Sequence, residues 1–227
     1  DARRAAAGIL LANQDPAAAM PLLAQAADWP VYLAAIRQVI SDPAVRARHA
    51  TVAAWLGQAP APLVAADPVL ARAMGDALIE LGRFGEALTW LESAAAGFAA
   101  AGDDARQCHV VSRMAYALYT EALDWRRMML VVDRLKPLIP HADALPLAKR
   151  IDVYTVLIFF TRTGEFSPEQ VTGIARTLGQ LTEAAAQAGD ARLQVTASAA
   201  MLRFLGSVDR YQDTGPYLEL EPLLDRD

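Results

Sequence analysis

Apolar residues recur along this chain at spacings of three and four, and short breaks interrupt them at intervals suited to helices of about 12 to 20 residues. The clearest breaks are Asp15-Pro16, Trp29-Pro30, Asp42-Pro43, Pro60-Ala61-Pro62, Asp67-Pro68, Gly82, Gly102-Asp103-Asp104, Pro140, Gly164, Ser167-Pro168, Gly189-Asp190 and Gly215-Pro216. In an Asp-Pro or Ser-Pro pair the first side chain can cap a helix while proline fills its first turn. Helix starts are therefore expected near residues 16, 43, 68 and 168. Leu70, Met74, Ala77, Leu78 and Leu81 fall on one face of a helix ending at Gly82, and Ala87, Leu88, Leu91, Ala94, Ala95 and Phe98 fall on one face of the next. The short turn Gly82-Arg83-Phe84-Gly85 makes these two helices antiparallel neighbours.

The hairpin recurs. Gly82-Arg83-Phe84 is echoed by Leu123-Asp124-Trp125, by Gly164-Glu165-Phe166 and more loosely by Asp209-Arg210-Tyr211. The aromatic positions Phe84, Trp125 and Phe166 are 41 residues apart, and Tyr211 follows after 45. A second marker, Ala101-Gly102-Asp103, returns as Ala188-Gly189-Asp190 after 87 residues, close to two periods. A period of this size predicts a solenoid, whose units stack because none can bury its apolar face alone. The expected fold is all-α, a superhelical array of antiparallel helical hairpins with a period of about 41 residues. Residues 1–66 read as less regular lead-in hairpins and residues 67–227 as the repeats, continuous with the first part as one solenoid. Phe84, Trp125 and Phe166 are expected to be core residues that plug the joint between hairpins.

Composition supports helices over strands. Hydrophobic residues make up 54% of the chain and aromatics only 7%, and the excess is mostly alanine, which favours helix and lets helices approach closely. Runs such as Ala94-Ala95-Ala96 and Ala184-Ala185-Ala186 read as helix-to-helix contacts. A net charge of −5, with the basic residues scattered singly or in pairs, argues against direct nucleic-acid contact, which needs a concentrated cationic patch. The lone Cys108 fits a reducing compartment, and the run Val156-Leu157-Ile158-Phe159-Phe160 is too short to span a bilayer. Asp1-Ala2-Arg3-Arg4 leads straight into an alanine-rich helix without a signal peptide or initiator methionine. The expectation is a cytoplasmic segment of a longer protein with no membrane partner.

Residues 55–91 carry a more specific pattern: Trp55-Leu56, Pro60, Leu63, Pro68, Leu70, Ala77-Leu78, Gly82-Arg83, Glu86-Ala87-Leu88 and Leu91. This order resembles a tetratricopeptide-type segment and, more narrowly, the helical-repeat domain of MalT-like, LuxR-type bacterial signal-transduction ATPases that regulate transcription. The stretch Leu10-Leu11-Ala12-Asn13-Gln14-Asp15, with Ala17-Ala18-Ala19 and Leu22-Leu23, resembles the hairpins leading into that array. The resemblance implies a tetratricopeptide-like solenoid that serves as a sensor or interaction domain, with other domains of the parent chain among its partners. It covers most of the chain in pattern and about 35 residues in specific positions. The chain has no G-x-x-x-x-G-K-[ST] phosphate loop, so nucleotide binding would belong to another part of such a protein. Its 41-residue period also exceeds the 34 residues of a tetratricopeptide unit.

Catalytic sets are hard to assemble. His49, His109 and His141 are far apart in sequence and lack metal-ligand spacing. Cys108 and His109 are adjacent on a helix, so their side chains diverge; they read as a buried thiol beside a partly exposed imidazole. No enzyme activity, metal or cofactor is expected. Binding residues are better sought in polar stripes on the first helix of each hairpin, which lines the concave side of a tetratricopeptide-like superhelix. His109, Arg113, Tyr116 and Thr120 form one stripe, Arg150, Tyr154 and Thr161 a second, and Arg192, Thr196 and Arg203 a third. Two readings stand at this point. Either the stripes form a groove of guanidinium forks and phenol hydroxyls for a small effector or a partner protein, or they are the ordinary solvated face of amphipathic helices. A generic peptide-binding adaptor is the alternative to the regulator.

Overall fold

The computed structural model describes residues 2–13, 15–121, 125–161 and 165–207, and within them the chain is all-helical. The elements are α1 (Ala2–Ala12), α2 (Pro16–Gln25), α3 (Trp29–Val39), the single turn α4 (Pro43–Arg46), α5 (His49–Gln58), α6 (Ala61–Ala66), α7 (Pro68–Glu80), α8 (Phe84–Ala100), α9 (Asp104–Glu121) and α10 (Trp125–Leu135). A 3-10 helix, η1 (Lys136–Ala144), then precedes α11 (Leu147–Ile158), α12 (Pro168–Gln187) and α13 (Ala191–Ser207). The turn Asp209-Arg210-Tyr211 and the break Gly215-Pro216 lie outside the described residues, as do Leu123, Asp124 and Gly164 of the earlier turns.

Helices begin where the capping pairs place them. Asp15 accepts from Ala18 N at 3.1 Å to start α2, and Asp42 accepts from Ala44 N at 2.8 Å to start α4. Asp67 accepts from Val69 N at 2.8 Å and Leu70 N at 3.2 Å ahead of α7. Ser167 and Gln170 make a reciprocal capping box at the head of α12. Each cap satisfies backbone N–H groups that would otherwise be orphaned, worth about 1 kcal/mol. Helix ends are set by glycine: Gly82, Gly102 and Gly189 take φ of 73°, 66° and 65°. After α7, Arg83 N reaches back to Leu78 O at 2.8 Å, and after α8, Asp103 N reaches Phe98 O at 2.9 Å. These bonds close the last turns as a left-handed glycine cap requires.

The chain forms two compact units. The first comprises Asp1–Asp103 with Ala117–Met128, and the second Asp104–Tyr116 with Met129–Asp227. In the first, α1 packs on α2, α2 on α3, α5 and α6 on α7, and α7 on α8. The α7–α8 pair is the most extensive contact, and its predicted faces are buried: Leu70, Met74, Ala77 and Leu78 from α7, and Ala87, Leu88, Leu91, Ala94, Ala95 and Phe98 from α8. Leu81 is the exception at 40% exposure, because α7 ends at Glu80 and the backbone at Leu81 (φ −87°, ψ 2°) has left the helix. Two glycines let the helices approach. A Cβ on Gly75 would lie 2.6 Å from Leu91 Cγ and Cδ2, and one on Gly97 would lie 2.8 Å from Pro68 Cβ. Deeper in the unit, Tyr32 is fully buried and its hydroxyl donates to Trp55 O at 2.7 Å, joining α3 to α5.

In the second unit α11 packs on both α12 and α13, and α12 packs on α13. Lys136, the first residue of η1, bridges Asp133 at 2.9 Å and Glu165 at 2.7 Å and lies 5.9 Å above the Phe166 ring. The three turn aromatics have different surroundings. Phe166 is 6% exposed and belongs to the core, Phe84 is half-buried, and Trp125 is 48% exposed at the start of α10. Trp125 is thus not the core plug that its register suggests, since about half of its surface stays in contact with solvent.

The close α7–α8 approach predicts opposite outcomes for two Gly→Ala changes, read by urea unfolding. Gly75→Ala should destabilise, since forcing a methyl against buried Leu91 costs about 1–3 kcal/mol, more than alanine's helix propensity returns. Gly8→Ala, in exposed α1 with nothing within 4 Å of the added carbon, should stabilise by about 0.5–1 kcal/mol.

Candidate functional site

In the second unit polar side chains of α9 meet α11, and an arginine of α13 meets the residue that ends α11. On α9, His109 is 2% exposed, buried like its neighbour Cys108 rather than partly exposed. Both fit inside because His109 meets a partner across the helix boundary: its Nε2 lies 3.3 Å from Asp152 Oδ2 of α11. Lys149 Nζ approaches the same carboxylate oxygen at 3.3 Å. One turn further along α9, the half-buried Arg113 guanidinium sits 5.3 Å over the Tyr116 ring and adds its charge to the field at Asp152.

Asp152 is the electrostatic centre of this cluster. Burial would raise its pKa, but the hydrogen bond to His109 and the charges of Lys149, His109 and Arg113 together outweigh that, holding it below the ordinary carboxylate value. It is present as an anion at neutral pH. Continuing along α11, Thr155 and Phe159 follow Lys149 and Asp152 at three- and four-residue spacing and so share their side of the chain. Thr155 Oγ1 is buried and finds no hydrogen-bond partner in the protein. The Arg203 guanidinium of α13 covers the Phe159 ring at 5.8 Å, and Arg192, eleven residues earlier on the same side of α13, is exposed.

Of the residues singled out in the sequence, His109 meets Asp152, Arg113 acts on Asp152 through its charge and lies over Tyr116, Arg203 lies over Phe159, and Arg192 is exposed on α13. Arg150 and Tyr154 are drawn elsewhere. Arg150 donates through Nη2 to Asp143 of η1 at 2.8 Å, while its Nε is buried without a partner. Tyr154 is 7% exposed and shares a hydrogen bond with Thr177 of α12; burial pushes its phenol pKa up. On α11 the side that carries Asp152 also carries Lys149, Thr155 and, at its end, Phe159. Tyrosine misleads here because its ring is as content in a core as at a surface. The recurrence of Lys149, Asp152 and Thr155 at three-residue intervals was the available signal.

Cys108 is fully buried, and burial raises its thiol to about 12, so it stays protonated and unreactive. Among the described residues no three His, Cys, Asp or Glu side chains are placed to hold a metal ion, and no helix is long and apolar enough to cross a membrane. No family model, curated protein or solved structure matches the chain.

The depressed Asp152 pKa fixes the sign of a pH effect. A carboxylate titrating lower in the folded than in the unfolded state adds stability above its unfolded pKa, and that contribution disappears as pH falls through its folded value. Urea unfolding of Asp152→Asn should show a deficit at pH 7 that shrinks as pH falls below the ordinary carboxylate range and through the lowered folded-state value of Asp152. In the native protein at pH 8, Cys108 should resist a disulfide-exchange reagent and react at an ordinary rate once urea unfolds the chain.

Proposed function

We propose that this chain is a sensor and interaction domain of a bacterial transcriptional regulator of the MalT-like kind, and that the α9–α11–α13 face receives its effector or partner protein. The observation that carries this reading is the packing of alternate helices. In the second unit α11 meets α13 as well as α12, and in the first α5 meets α7. Helical hairpins stacked in register make this pattern, because the first helix of one hairpin packs on the first helix of the next. It supports a tetratricopeptide-like solenoid, a scaffold that presents side chains in rows. The family-like segment at 55–91 runs from the end of α5 into the first half of α8, with its Asp67 cap, Gly82 turn and buried Leu70, Ala77, Leu78, Ala87, Leu88 and Leu91 in packing roles.

Function on this reading is binding, not catalysis. Occupying the face would favour one arrangement of the helices over another, and the difference in affinity for the two arrangements sets how far the regulator shifts. Other domains of the parent chain would convert that shift into an output.

The reading frame that encodes the chain tests the regulator assignment. A phosphate-loop ATPase segment and a DNA-reading helix in the same frame are expected; a frame with neither overturns it in favour of a peptide-binding adaptor. Thermal shift separates the two kinds of occupant. A small effector at about one hundred times its Kd stabilises by about 2.7 kcal/mol, which should raise Tm by roughly 5–10 °C for a chain of this size. No shift across sugars, amino acids and nucleotides would point to a protein occupant instead.

A further inference from the structure

We draw no further inference here: the strongest candidate, the outward apolar face of α1 where Ala5, Ala6, Ile9 and Ala12 stand exposed in the first unit, carries nothing because nothing in the structure shows what covers it.

Discussion

At Gly75 there is room for a hydrogen and nothing larger, and the arrangement of the first unit follows from that fact. Leu91 of α8 fills the space where a side chain would stand, and Gly97 gives Pro68 similar access at the far end of the helix pair. Two helices held this close bury rows of alanine with the leucines, so Ala71, Ala77, Ala87, Ala94 and Ala95 contribute packing that they could not supply at a wider spacing. The resulting slab receives α5 and α6 on α7. Small residues thus serve as more than helix formers in this chain. They set the distance at which dispersion contacts become dense, and larger residues would force the pair apart.

The second unit depends on a charge rather than on close approach. Asp152 places one carboxylate where an imidazole, an ammonium and a guanidinium converge, and this makes burial of His109 tolerable. A buried imidazole without such a partner would carry the full cost of lost hydration. The same carboxylate ties α9 to α11, and α11 is the helix that also meets α12 and α13. Packing and electrostatics are consequently not separable here: the group that gathers these polar side chains also helps to hold the helices that carry them.

Features governed by neighbouring residues were legible in the sequence. The starts of α2, α4, α7 and α12 follow from Asp-Pro and Ser-Pro pairs because a cap is made within three residues of itself. Gly82, Gly102 and Gly189 announced their left-handed turns for the same reason. The apolar faces of α7 and α8 were readable because long amphipathic helices average over errors at single positions. What escaped was set by contacts distant in sequence. Trp125 is solvent-exposed although its register matches that of buried Phe166. Arg150 and Tyr154 repeat the spacing seen in α9, yet Asp143 and Thr177 draw them to other elements. The nine residues of η1 showed only as a proline break, since nothing local distinguishes a sustained 3-10 segment from a loop.

The path of the chain through the two units sets a limit on modularity. Helix α9 begins in the second unit and ends in the first, and α10 carries the chain back again. Neither unit is therefore a contiguous stretch of sequence, and no single cut can release both intact. A gene fusion or splice at residue 103 would strip the first unit of Ala117–Met128, and one at residue 128 would strip the second of Asp104–Tyr116. A recombination event that keeps both units whole must therefore carry them together.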